Sequence, residues 1–133
     1  MTVEEQLDQF IDRFSPEVAA NARVALAMVA ARLPGAVRLV YDNYNALAIG
    51  FGPNEHVRAA VCSIALYPRW VSLFLTNGPS LPDPESLLEG QGSVVRDVKL
   101  TPALIESEAV AALIDAAAAS VKLAIDPRAR DGS

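Results

Sequence analysis

The chain has 133 residues, a formal net charge of −5, and 52% hydrophobic against 20% charged residues. That length suits one domain, able to bury about two-thirds of the unfolded chain's surface without a disulfide. The acid excess argues against sequence-independent binding to nucleic acid or to an anionic membrane, since both need clustered Lys and Arg. One Cys and one His leave little material for a triad or a multi-His metal site. The opening residues MTVEEQLDQF are acidic and lack the basic start and apolar centre of a signal peptide. No apolar run reaches the roughly 18 residues of a membrane span, so a soluble cytoplasmic protein is expected.

Val3 to Phe14 reads as a first helix. Val3, Leu7, Phe10, Ile11 and Phe14 fall on one stripe, with Thr2 as N-cap. Ser15-Pro16 starts a second helix, because Pro suits a first position whose N–H has no partner. It runs to Leu33, with Val18, Ala22, Ala25, Leu26, Val29 and Leu33 on its buried face, and Pro34-Gly35 stops it. Val37 to Tyr41 and Ala46 to Phe51 read as strands joined by a turn at Asp42-Asn43-Tyr44-Asn45. Gly52-Pro53-Asn54-Glu55 makes the next turn.

Arg58 to Thr76, RAAVCSIALYPRWVSLFLT, reads as two strands around Tyr67-Pro68-Arg69. Its branched and aromatic residues suit a pleated surface, and Pro68 interrupts any helix across it. The runs are nearly continuously apolar, which places them at the sheet centre. Cys62 within them reads as a buried, inert thiol, and Ser63 and Ser72 as satisfied core hydroxyls. Residues 77–83, NGPSLPD, form a breaker-rich loop. Asp83-Pro84 then opens a short helix through Leu87, Leu88 and Glu89, with Gly90 as C-cap. Val94 to Leu100 is a fifth strand, and Thr101-Pro102 begins a helical region with its main body at Ser107 to Ile125. Residues 126–133, DPRARDGS, read as a frayed tail.

Short connections make neighbouring strands antiparallel. The expected fold is a single α+β domain over residues 1–125. It has a five-stranded, mainly antiparallel sheet packed against two N-terminal helices and one C-terminal helix.

The stretch SLPDPESLLEGQGSVVRDVKL at residues 80–100, read with Leu33-Pro34-Gly35 and the Tyr67-Pro68-Arg69-Trp70 turn, resembles the YdhG-like family. That is a widespread bacterial domain long described as of unknown function. The resemblance runs from Leu7 to about Lys122 and is most specific at Leu88, Gly90, Gly92 and Arg96. These residues look like the family's Gly-x-Gly-x-x-x-Arg run into a strand. It implies an α+β sandwich compared with frataxin, and in one branch an iron-chaperone role. Many members carry His after the Arg, where this chain has Asp97, so a role resting on that His does not transfer.

Three candidate sites follow. Glu4, Glu5, Asp8 and Asp12 lie on the first helix opposite its apolar stripe, and carboxylate oxygens suit hard cations such as iron. Acids near a helix start are also favoured by its dipole, and a charged solvent face is the plain reading. Gly90-Gln91-Gly92 with Arg96 could cradle an anion on backbone N–H groups, although a cap and a turn account for both glycines. Tyr41, Asp42, Tyr44, Asn45, Arg69 and Trp70, with Arg96 as a further anion contact, could line one cleft if the first and third strand turns share a sheet end. Asp42 and Asn45 are equally turn formers, and Trp70 a core residue.

No Ser-containing motif surrounds His56, and no nucleophile or base stands out. The leading expectation is a non-enzymatic binding module, without a cofactor, for a small molecule or peptide held in that cleft. The alternatives are weak iron handling through the helix-one acids, and a homodimer built on Trp70 or an exposed sheet face.

Overall fold

The computed structural model describes residues 3–43, 46–53 and 60–125. Thr2, His56 and the tail at 126–133 lie outside the described residues. The elements run α1 (Val3–Ile11), α2 (Pro16–Arg32), β1 (Val37–Asn43), β2 (Ala46–Gly52), β3 (Cys62–Leu66), β4 (Val71–Thr76), β5 (Val95–Leu100), α3 (Pro102–Ile105) and α4 (Glu108–Ile125). A 3-10 turn at Gly78–Ser80 follows β4. The strands form one five-stranded antiparallel meander in the order β1-β2-β3-β4-β5. The expected α+β fold is the observed one, and β3 is the middle strand.

Helix starts use one device repeatedly. Ser15 Oγ accepts from the Val18 N–H at 3.2 Å with Pro16 in the first turn. Thr101 Oγ1 accepts from the Leu104 N–H at 3.2 Å with Pro102 in the same place. Ser107 accepts from the Val110 N–H at 3.2 Å and thereby separates α3 from α4. Each cap supplies a partner for an N–H that the helix leaves open.

One sheet face carries the bulk. Leu47, Ile49 and Phe51 of β2 stand across from Leu66, Ile64 and Cys62 of β3. Val71, Leu73 and Leu75 of β4 continue these rows, and Leu100 and Val98 of β5 extend two of them. All are buried and belong to one core cluster with Val29 of α2 and with Val110, Ile114 and Ala117 of α4. Helices α2 and α4 cover this face and touch each other. The other face presents Ala46, Ala48 and Gly50, then Ser63 and Ala65, then Ser72 and Phe74. Its middle is made of small residues, of which Gly50, Ala65 and Ser72 are buried.

The segment expected to be a helix from Asp83 is a turn instead. Asp83 Oδ1 accepts from the Leu87 N–H at 2.8 Å and Oδ2 from the Leu88 N–H at 2.9 Å. Ser86 takes φ of 55°. The carboxylate captures the N–H groups that would have propagated a helix, so none forms. Gly90 therefore caps no helix. α1 also ends at Ile11, short of Phe14.

Burial of Ile64 at the sheet centre should dominate stability. Ile64→Ala is expected to cost about 2–5 kcal/mol in urea unfolding. Val24→Ala, on the exposed side of α2 with 48% of Val24 accessible, should stay within about 0.5 kcal/mol. Equal losses would contradict this account of the core.

Burial pushes the Cys62 thiol up from its ordinary 9.0 to about 12. The neutral thiol is the form that folding favours. Its contribution is complete below pH 9 and is lost as pH rises from 9 toward 12. A disulfide-exchange reagent at pH 8 should leave the folded protein unlabelled and react fully in urea. Rapid labelling of the folded chain would refute the burial of Cys62.

Candidate functional site

A meander reverses at every connection, so the β1–β2 and β3–β4 turns lie at one end of the sheet. The two turns expected to share a cleft are therefore neighbours. Tyr41 and Asp42 stand in β1 across from Ala48 and Leu47; their side chains, and Tyr44 and Asn45 altogether, lie outside the described residues.

At the β3–β4 turn the Tyr67 N–H donates to the Trp70 carbonyl at 2.9 Å. That bond brings the two rings together. Their centroids are 4.7 Å apart with planes inclined by 21°, an arrangement favoured by aromatic quadrupoles. The indole Nε1–H donates to Ser72 Oγ at 3.0 Å, which ties the ring to the small-residue face. Lys99 Nζ sits 4.6 Å from the centre of the Trp70 ring, a cation–π contact. Tyr67 leads out of β3 and Lys99 belongs to β5, so the indole is flanked from the strands on either side of β4. Trp70 is 38% exposed, neither a core residue nor a free one. Arg69, next to it, is exposed.

Sequence reasoning missed Tyr67 and Lys99 as members of this group. Alternation along Val95–Leu100 puts Val95, Asp97 and Lys99 on the small-residue face, which was the available signal. Asp97 there has its carboxyl pKa raised by burial and by the nearby Glu89, against an opposing effect of Lys99.

Arg96 does not join the turn end. It pairs with Leu75 at the start of β5, whereas Leu100 pairs with Val71 beside the turn. Its Nε donates to the Gly92 carbonyl at 2.8 Å. Gly90 has φ of 99°, a conformation that suits glycine, and a Cβ on Gly92 would come within 2.6 Å of the Val95 carbonyl oxygen. A Cβ on Gly78 would meet Arg96 Cβ at 2.4 Å. The Gly90–Gly92–Arg96 run thus locks the loop onto β5, and the arginine is engaged by backbone.

The helix-one acids are engaged as well. Arg23 of α2 reaches Asp8 and Asp12, each at 2.7 Å, and these bonds, Asp12 first, raise its pKa further. Glu4 pairs with Arg38 of β1. Among the described residues no group of three or more His, Cys, Asp or Glu stands ready to hold a metal ion.

At the opposite end of the sheet a depression of about 510 Å³ opens between Leu33, Ala36, Pro53, Val61 and Val121. Its charged wall is Arg32, whose guanidinium is forked onto Asp115 at 3.1 and 2.8 Å. It offers apolar surface without converging polar groups. No helix among the described residues is long and apolar enough to cross a membrane. No protein-family model, curated protein or solved structure matches the chain.

Proposed function

We propose that the chain is a YdhG-like domain acting as a non-enzymatic binding module. Its ligand is a small molecule or peptide with an anionic group, docked at the turn end of the small-residue sheet face. The observation that carries this reading is the Tyr67–Trp70–Lys99 stack beside exposed Arg69. A partly exposed tryptophan with a cation over its ring, preceded in the turn by an exposed arginine, is suited to a carboxylate or phosphate on a small apolar body docking at its edge. The two-layer α+β form, with helices from both chain ends, is also the form that the family resemblance implies.

Iron handling by Glu4, Glu5, Asp8 and Asp12 has less support. Asp8 and Asp12 share one guanidinium and Glu4 has its own, so a cation would have to displace arginine to reach them.

Trp70 is the chain's single tryptophan, so its fluorescence reports this site alone. Titration with aromatic carboxylates and with acidic peptides should give a saturable change in emission for at least one of them. Arg69→Ala or Lys99→Ala should weaken that binding about tenfold in protein with an unchanged circular dichroism spectrum. Silence across the series, or binding indifferent to both substitutions, would remove this site from consideration.

A further inference from the structure

The two edges of the sheet are not alike. On the β5 side, Glu89 exchanges backbone hydrogen bonds with Asp97 at 2.7 and 3.1 Å, and the Gly78 N–H donates to the Val94 carbonyl at 3.0 Å. Loop chain thus lies along that edge. β1 pairs with β2 alone among the described residues. Its seven residues, VRLVYDN, contain no Pro, Gly or Lys to blunt the outer edge. An edge strand of this kind offers unpaired N–H and C=O groups to another strand. Val37, Arg38, Leu39 and Val40 are all half-buried, while Leu47, Ile49 and Phe51 beside them are buried.

The pattern of β1 selects its partner. VRLVYDN is self-complementary about Val40. When two copies pair antiparallel with Val40 on a twofold axis, Leu39 opposes Tyr41, Arg38 opposes Asp42 and Val37 opposes Asn43. Opposite charges directly across a strand pair stabilise it, and like charges oppose it. Two Arg38–Asp42 pairs arise per dimer, as an isologous interface requires. Centring the axis on Leu39 instead sets Arg38 against Val40 and Asp42 against Ala36, and both charges lose their match. Edge charges usually prevent self-pairing; these two have opposite signs and sit symmetrically, so self-pairing sets each against an opposite charge, with Arg38 shared with Glu4 of α1.

We infer that the protein forms a twofold homodimer through β1, with two five-stranded sheets joined edge to edge. This interface is separate from the Trp70 region on β4 and does not depend on the ligand reading.

Sedimentation of the full chain between about 1 and 100 µM, a range that captures micromolar association, is the test. The wild type should show reversible dimerisation. Arg38→Asp or Asp42→Arg places like charges across both pairs and should weaken association about tenfold or more. An equimolar mixture of the two variants sets two acids on one edge against two bases on the other, and should dimerise again. Asp42→Arg retains the Glu4–Arg38 ion pair, so loss of the dimer in that variant, with an unchanged thermal melt, separates the interface from a folding defect. A wild type that stays monomeric across the range, a dimer indifferent to both substitutions, or a mixture that remains monomeric would each overturn the inference.

Discussion

The structure depends on an unequal sheet. Along β2, β3 and β4 every other side chain, apart from Cys62, is a large aliphatic or aromatic group, and the alternate positions are mostly Ala, Gly and Ser. Burying each large group is worth roughly 1.5–3 kcal/mol, so the face that carries them must be covered. α2 and α4 supply that cover with alanine-rich surfaces that allow close approach. The small-residue face exerts no comparable pull on a second layer. The ring of Trp70 lies on that side, tied to the buried Ser72.

Charged residues orient the layers more than they stabilise them. Arg23 ties α1 to α2 through Asp8, Arg38 ties α1 to β1, and Arg32 ties α2 to α4. These pairs are largely exposed, so solvent screens each of them. A row of carboxylates that looks open to a cation in sequence is, in the fold, held by guanidinium groups from later elements.

The loop between β4 and β5 shows how one segment can be distinctive for structural reasons. Asp83 closes its turn, Gly78 admits the Arg96 side chain, and Gly92 presents its carbonyl to that same arginine. Glu89 then covers the β5 edge. These contacts engage Gly92 and Arg96 of the Gly-x-Gly-x-x-x-Arg run within the fold. The proposed binding surface instead uses residues of the β3–β4 turn and of β5.

Periodicity, breakers and capping residues determined the elements. Ser15-Pro16 and Thr101-Pro102 mark helix starts through local hydrogen bonds, and unbroken apolar runs place β3 and β4 at the sheet centre because such runs cannot face water. These signals act within a few residues and are legible in the chain. At Asp83 the sequence predicts a helix start and the structure has a closed turn, since an aspartate offers its carboxylate equally to a cap and to such a turn. The site was half legible. Tyr41, Asp42, Arg69 and Trp70 come from two turns that short antiparallel connections bring to one sheet end. Lys99 reaches the indole only through the β4–β5 register, Arg96 is carried to the far end by the same register, and Arg23 meets Asp8 and Asp12 only because α2 folds back along α1. Such contacts depend on distances between elements far apart in the chain, which tertiary structure alone sets.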